Sequence, residues 1–147
     1  MSTTPVALVT GASGDIGAAI AKTLGNNGWH VIGTYVGAAD AAAATVAAVI
    51  DSGGSAEAMQ LDQRNPAAID EIIAAIGENH GRLDVLVNNA AWNIGIPFRR
   101  LEDLDADIWD RVLETNLRGP FLLARAAADL LKAGDGGHIV NISSAGG

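Results

Sequence analysis

The sequence predicts an α/β fold in which a parallel sheet carries helices on both faces. Three observations support this prediction. Short apolar runs alternate with helix-like stretches from end to end of the chain. The run at residues 84–88 is apolar enough to be covered on both faces, as strands of parallel sheets usually are. Glycine makes up 18 of 147 residues, and several glycines stand where a strand meets a helix. Repeated β-α-β units of this kind build a parallel sheet.

The first half of the chain contains three predicted strands and two predicted helices. The helix over residues 15–26 is indicated by Ile16, Ile20 and Leu24, which recur every fourth residue, and Asn27-Gly28 ends it. The strands are predicted over 6–10, 30–35 and, more weakly, 56–61, and an alanine-rich helix over 40–50.

The second half continues the same alternation. Pro66 opens a helix at a position where its missing N–H costs little. Its predicted buried stripe consists of Ile69, Ile72, Ile73 and Ile76. The strand at 84–88 is followed by one long helix over 107–132, which Gly119-Pro120 should kink, and by a fifth strand over 138–142. No fixed repeat or linker is visible, so residues 1–147 are expected to form one domain.

Composition excludes several classes of partner and site. The net charge of −8 comes without any basic run, so nucleic acid is not expected as a partner. Cysteine is absent, which excludes disulfides and thiolate metal sites, and the three histidines are isolated in sequence, so no metal site is predicted. The longest apolar run, at 41–50, is far below the ~20 residues that span a bilayer. With no signal peptide visible, we expect a soluble cytoplasmic protein without a membrane partner.

The most informative stretch is the glycine loop between the first strand and the first helix. Residues 10–17 read Thr-Gly-Ala-Ser-Gly-Asp-Ile-Gly. A strand–loop–helix junction presents free backbone N–H groups and the positive end of a helix dipole, which together suit a phosphate. The alternative is that these glycines serve packing only, with Ser13 and Asp15 as simple helix caps.

Polar residues also follow three later strands. They are Asp62 after the third strand, Asn88-Asn89 after the fourth, and Asn141 to Ser144 after the fifth. Carboxyl ends of parallel strands share one edge of the sheet, where ligands bind in open α/β folds. Ordinary turn formation is the alternative for each of them, but their coincidence on one edge favours a binding site.

Together these motifs resemble the N-terminal part of a short-chain dehydrogenase/reductase. Residues 10–17 resemble that family's TGxxxGIG loop, and Asn88-Asn89-Ala90-Ala91 resembles its NNAG stretch. Asn116 stands where the family keeps its helix-4 Asn, and Ser144 matches its catalytic Ser. Asp15 and Ala91 each replace a glycine of the family pattern. The resemblance implies a Rossmann-type, doubly wound parallel sheet with strand order 3-2-1-4-5.

The resemblance also implies hydride transfer between a nicotinamide and the carbon of a small-molecule carbonyl or alcohol. Ser144 would hydrogen-bond the substrate oxygen, and Asn116 would hold a water in a proton relay. Backbone amides of the glycine loop would cradle the pyrophosphate, and Asp62 would accept a hydrogen bond from the adenine. The implied cofactor-binding residues are Gly11, Ser13, Asp15, Ile16, Gly17, Tyr35, Asp62, Asn88, Asn89 and Ala90.

The cofactor is predicted to be NADP rather than NAD. The acid that marks NAD preference at the end of the second strand is replaced by Tyr35. Against this, no Arg or Lys stands in the glycine loop or just after Tyr35 to meet a 2′-phosphate, so NAD stays the alternative.

The family's catalytic Tyr-x-x-x-Lys motif is not in this sequence. Its only tyrosine is Tyr35, and its lysines are Lys22 and Lys132. We therefore expect the chain to be part of a longer enzyme, or to be completed by a second polypeptide, and to be inactive alone. The alternatives are a non-catalytic dinucleotide-binding module and a structural α/β domain with an idle glycine loop. The resemblance further implies a homo-oligomer, a dimer or tetramer, formed through the helix at 107–132.

Overall fold

The computed structural model describes residues 3–145 as one parallel five-stranded sheet flanked by helices. The strands are β1 (Val6–Val9), β2 (His30–Tyr35), β3 (Ser55–Gln60), β4 (Val85–Asn88) and β5 (His138–Asn141). Their order across the sheet is β3-β2-β1-β4-β5, and every neighbouring pair is parallel. The predicted fold class and strand order are therefore confirmed.

The helices divide between the two faces of the sheet. They are α1 (Asp15–Asn26), α2 (Ala39–Asp51), α3 (Pro66–His80), α4 (Ala106–Leu113) and α5 (Gly119–Lys132). One core lies under α3 and α5, and the predicted isoleucine stripe of α3 is buried in it. The second core lies under α1 and α2 and contains the alternate side chains of β1 and β4. Both faces of the central strands are thus covered, which explains their continuous apolar runs.

Helix α1 packs through small residues as well as through Ile20 and Leu24, which contact the second core. Its buried residues are Gly17, Ala21 and Gly25, whereas Ile16 is 61% exposed. A Cβ at Gly25 would overlap Cγ1 of Val49 on α2. The small residues therefore let α1 approach its neighbours closely and leave Ile16 at the open edge of the sheet.

The segment predicted as one helix over 107–132 contains two helices joined by a π-helical turn, Glu114–Arg118. The irregularity begins one turn before Gly119-Pro120, where a kink was predicted. In the π-turn the N–H of Gly119 donates to the carbonyl of Glu114, five residues back. A 3₁₀ segment, Phe98–Asp103, precedes α4 and is not among the predicted elements.

Asp84 fixes the start of the central strands. Its Oδ2 accepts the backbone N–H of Val6 at 2.8 Å and Nε of Arg82 at 2.9 Å. Partial burial raises the pKa of the Asp84 carboxyl, but the bonds from Arg82 and Val6 outweigh burial and hold the pKa below its usual value. Asp84 therefore stabilises the fold in its ionised form.

Strand β5 forms one edge of the sheet and is exposed along its whole length in the described residues. Ile139 and Val140, the apolar residues at its centre, are both more than two-fifths exposed. An apolar edge strand of this kind is a surface on which another strand can pair. Among residues 3–145, no helix is long and apolar enough to cross a bilayer.

Candidate functional site

The glycine loop turns tightly at the carboxyl end of β1. Gly11 has φ +69°, a left-handed conformation that side chains rarely adopt. The N–H of Ala12 then donates to the carbonyl of Thr34 at 2.9 Å, which fastens the loop to β2. A Cβ at Gly11 would lie 3.0 Å from Cα of Ala90, so the loop after β4 approaches the glycine closely. The first loop is thus held between the ends of β2 and β4.

Helix α1 begins at this loop without a side-chain cap. Gly14 occupies the N-cap position and provides no side-chain hydrogen bond, so the capping role considered for Ser13 and Asp15 is not what the described structure shows. The first N–H groups of a helix have no partner within it, and they carry the positive end of the helix dipole. These donors therefore remain available for an anion.

Gly17 must be glycine in this geometry. A Cβ there would overlap the carbonyl oxygen of Gly11 and would lie 2.8 Å from Nδ2 of Asn89. The first turn of α1 therefore packs directly against the glycine loop, with Gly17 buried and Asp15 and Ile16 exposed. This uncapped turn lines the cavity described next and fits the pyrophosphate of a dinucleotide.

The loop opens into a cavity of about 660 Å³, within the range of small-molecule sites. Most of the predicted cofactor-binding residues line it. They are Gly11, Ser13, Asp15, Ile16, Gly17, Tyr35, Asp62, Asn89 and Ala90. Residues from the ends of β1, β2, β3 and β4 thus share one cavity, as expected at the carboxyl edge of a parallel sheet.

Thr10 and Asn89 hold the two sides of this cavity together. The fully buried Thr10 hydroxyl accepts the backbone N–H of Asn89 at 3.0 Å and of Ala90 at 2.9 Å. In return, Nδ2 of Asn89 donates to the carbonyl oxygens of Thr10 and, at 3.3 Å, of Gly11. The Asn89 side chain therefore braces the glycine loop.

Asp62 enters the cavity as an ionised carboxylate. Its Oδ2 accepts Nη2 of Arg64 at 2.6 Å, and Oδ1 accepts the backbone N–H of the same residue. The side-chain hydrogen bond from Arg64 lowers the pKa of Asp62, and partial burial opposes this only in part. Both side chains remain about one-third exposed, so a ligand can reach them.

Three predicted site residues are absent from the cavity lining as the structure describes it. Asn88 is buried in the sheet, and its Nδ2 donates to Oδ1 of Asn141 at 2.9 Å. Asn116 lies in the π-turn, and its side chain bonds both backbone groups of Trp92, each at 2.8 Å. Ser144 is exposed after the end of β5.

Sequence reasoning missed several residues that shape the cavity. Gln63 is buried, and its Nε2 donates to the carbonyls of Ala90 at 3.2 Å and Thr115 at 2.6 Å. Arg64, Trp92, Arg111 and Thr115 also line the cavity. The guanidinium of Arg111 lies 4.0 Å from the centre of the Trp92 ring. Gln63 and Arg64 could have been predicted as cavity residues from their position directly after the third strand. No feature of the sequence around Arg111 indicates that it lines the cavity.

Comparisons with known proteins agree with this geometry. The short chain dehydrogenase family matches residues 5–147. A 3-oxoacyl-[acyl-carrier-protein] reductase of Synechocystis is 39% identical over 145 residues, which cover 99% of this chain and 58% of the reductase. A 3beta-hydroxysteroid dehydrogenase of Mediterraneibacter gnavus is 38% identical over 142 residues, which cover 97% of this chain and 50% of the dehydrogenase.

Solved structures give the same result. A metagenomic short-chain oxidoreductase in complex with NADP superimposes with a TM-score of 0.88 at 40% identity, covering 95% of this chain and 62% of that one. A short chain dehydrogenase of Burkholderia cenocepacia in complex with NADP gives a TM-score of 0.87 at 39% identity, and the match covers 96% of this chain and 56% of that dehydrogenase. The chain therefore spans somewhat more than half the length of many of its relatives.

Proposed function

Because the chain belongs to the short-chain dehydrogenase family, we propose that it provides the dinucleotide-binding part of an NAD(P)-dependent oxidoreductase. Its substrate would be a small-molecule ketone or secondary alcohol, and residues 1–147 would act as one binding domain. The observation that carries this proposal is the uncapped start of α1 beside Gly17, inside a cavity at the carboxyl edge of the sheet.

The chain's own residues would bind and orient the cofactor, whose nicotinamide supplies the hydride chemistry when bound. Backbone amides between Ser13 and Gly17 would hold the pyrophosphate, with the Asp15 carboxylate turned away from it. Tyr35 would lie near the adenosine ribose, and Asp62 would accept a hydrogen bond from the adenine amino group. Asn89 would act by bracing the glycine loop, since its amide donates to Thr10 and Gly11.

Two residues outside the cavity lining would serve the reaction itself. Ser144 would hydrogen-bond the substrate oxygen and stabilise its developing charge. Asn116 would present its backbone carbonyl to a water of the proton relay. What supports this role is that Pro120, four residues later, has no N–H to donate to that carbonyl. The Asn116 side chain, held by Trp92, would fix the orientation of the turn.

We propose NADP as the preferred dinucleotide. Tyr35 stands where an acid would repel a 2′-phosphate, and the cavity carries two cations, Arg64 and Arg111. Two related structures are complexes with NADP, and a third related protein, from a metagenomic library, is a complex with NADPH. Arg64 is already paired with Asp62, so Arg111 would be the freer of the two charges.

The decisive experiment is a calorimetric titration of the 147-residue chain with NADP and NAD, followed in parallel by tryptophan fluorescence. Binding of NADP more tightly than NAD is expected. Trp92 lines the cavity, so Trp92→Phe should remove most of the fluorescence change, whereas the control Trp109→Phe should keep it. Failure of both dinucleotides to bind would refute the proposal, and tighter binding of NAD would refute the preference.

A second candidate is a dinucleotide-binding module that does not turn over by itself. The observation that favours it is that the sequence has a single tyrosine, Tyr35, at the end of β2, and no Tyr-x-x-x-Lys motif. Incubating the 147-residue chain with NADPH and a panel of ketones tests this candidate. Oxidation of NADPH by the chain alone would show that it has its own proton donor.

We also propose that copies of the protein associate through the helical segment at 107–132. Its outer face exposes apolar side chains, which in water favours burial against a partner. They are Trp109, Leu113, Leu117 and Phe121. Analytical ultracentrifugation tests this, and a Leu117→Asp variant should dissociate the oligomer; a wild type that is monomeric at all concentrations would contradict the proposal.

A further inference from the structure

Two of the histidines meet a carboxylate at the edge of the sheet opposite the cavity. His30 begins β2, Glu57 lies on the neighbouring strand β3, and His80 ends α3. Oε1 of Glu57 lies 3.2 Å from Nε2 of His30 and 3.0 Å from Nε2 of His80. The two imidazole rings are 4.6 Å apart between their centres. Residues that are far apart in sequence thus bring three potential metal ligands together.

The distances suit one metal ion. The three ligand atoms all lie within 4.8 Å of one another. Two ligands that are each 2.0–2.1 Å from a tetrahedral zinc ion lie about 3.3 Å apart, close to the two measured nitrogen–oxygen distances. The two histidine nitrogens are the wider pair, within 4.8 Å of each other, so the imidazole side chains would rotate toward a common ion as it replaces the shared hydrogen bonds.

The surroundings of the cluster also suit a metal. Nδ1 of His30 lies 2.6 Å from Oγ of Ser55, which can accept a hydrogen bond from Nδ1–H and so favour the tautomer whose Nε2 lone pair can bind a metal ion. The Glu57 side chain is 40% exposed, against 18% for each histidine, which gives an ion a path from solvent.

We propose that His30, Glu57 and His80 bind a divalent transition-metal ion of the Zn²⁺ class, with water as a fourth ligand. Two imidazoles and one carboxylate select Zn²⁺, Co²⁺ or Ni²⁺ over Mg²⁺ and Ca²⁺, which prefer oxygen ligands. The ion clamps β2, β3 and the end of α3. None of the three ligands lines the dinucleotide cavity, so binding of the ion is independent of that cavity.

The test is titration of EDTA-treated protein with ZnCl₂ by calorimetry, together with thermal melts. One ion per chain is expected, with a melting temperature that rises with Zn²⁺ concentration and does not respond to Mg²⁺. Co²⁺ should give the visible absorption of a low-coordinate site. A melting temperature unmoved by Zn²⁺ in molar excess, with no calorimetric binding, would overturn the proposal.

Variants locate the site. His80→Gln and Glu57→Gln should each weaken Zn²⁺ binding by at least about 10-fold, and Ser55→Ala by up to about 10-fold. His138→Gln is the matched control, since His138 is an exposed histidine on β5, and it should bind as the wild type does. Retained affinity in both His80→Gln and Glu57→Gln, or loss of affinity in His138→Gln, would refute the assignment. Dinucleotide affinity should stay unchanged in all four variants.

Discussion

Replacing Thr10 by valine tests how the cavity is held together. The two side chains have nearly the same shape, so the change removes the hydroxyl and leaves the packing in place. That hydroxyl is fully buried and accepts two backbone N–H groups, from Asn89 and Ala90, at 3.0 and 2.9 Å. Its own proton points at the carbonyl of Val87 across a long 3.4 Å contact, which contributes little.

The expected loss of unfolding free energy follows from the two backbone N–H groups, of Asn89 and Ala90, that would lose their acceptor. A buried N–H left without an acceptor costs about 1–3 kcal/mol, and Asn89 and Ala90 are only half-buried, so we take the lower end for each. The sum is about 2 kcal/mol of unfolding free energy. For a chain of this size, 2 kcal/mol lowers the melting temperature by about 4–8 °C. Dinucleotide affinity should fall as well, because the loop that carries Asn89 is released from the glycine loop.

Thr10→Ser is the matched control, since it keeps the hydroxyl and removes a methyl group worth about 1 kcal/mol. Chemical denaturation of the three proteins measures the difference, and calorimetric titration with NADP measures the effect on binding. The serine variant should be more stable than the valine variant and should bind the dinucleotide better. A valine variant as stable as the wild type would show that the hydroxyl does not hold the two loops.

Three further substitutions probe the loop, the fold and the turn. Gly17→Ala should abolish measurable dinucleotide binding in calorimetry and lower the unfolding free energy by about 1–3 kcal/mol in melts. Gly95→Ala is the control: nothing lies within 4 Å of a Cβ at that position, so neither binding nor stability should change. Asp84 stabilises the fold above the ordinary carboxyl pKa of about 4, and this contribution is lost as pH falls through its lowered native pKa. Denaturation at pH 3–7 should therefore show a flatter acid limb for Asp84→Asn, with lower stability at pH 7. Asn116→Ala should remove the hydrogen bonds to both backbone groups of Trp92. The Trp92 amide should then exchange its hydrogen faster, and an unchanged exchange rate would contradict this prediction.

The sequence was sufficient for the order of elements because apolar periodicity reports burial, and burial here follows directly from a doubly wound sheet. The central strands β1 and β4 are short apolar runs buried throughout, and the isoleucine stripe of α3 marks its buried face. The same period correctly predicts α1 but accounts for only part of its contacts. Ile20 and Leu24 pack against the core and Ile16 lies exposed at the cavity, while the buried residues of the helix are Gly17, Ala21 and Gly25, which carry almost no hydrophobic signal.

The site was only partly predictable for a related reason. Motif residues such as Gly11 and Gly17 can be recognised in the sequence because their conformation and close contacts admit only glycine. Gln63 and Arg111 have no such conformational signature, since their roles arise from residues far along the chain: Thr115 lies 52 positions after Gln63, and Trp92 lies 19 positions before Arg111. The histidine cluster shows the same limit: His30 and His80 are isolated in sequence, and only the pairing of β2 with β3 and the end of α3 brings them to Glu57.

The π-turn before α5 is explained by these long-range contacts rather than by proline alone. Because the N–H of Gly119 donates to Glu114, the carbonyl of Thr115 loses its normal α-helical donor. Gln63 supplies that donor at 2.6 Å and at the same time binds the carbonyl of Ala90 beside the glycine loop. Gly119 permits this approach, since a Cβ there would lie 2.8 Å from Cγ of Gln63. Gly119, which the sequence predicts as part of a kink, is therefore the position at which Gln63 packs against the helical segment and connects it to the cavity.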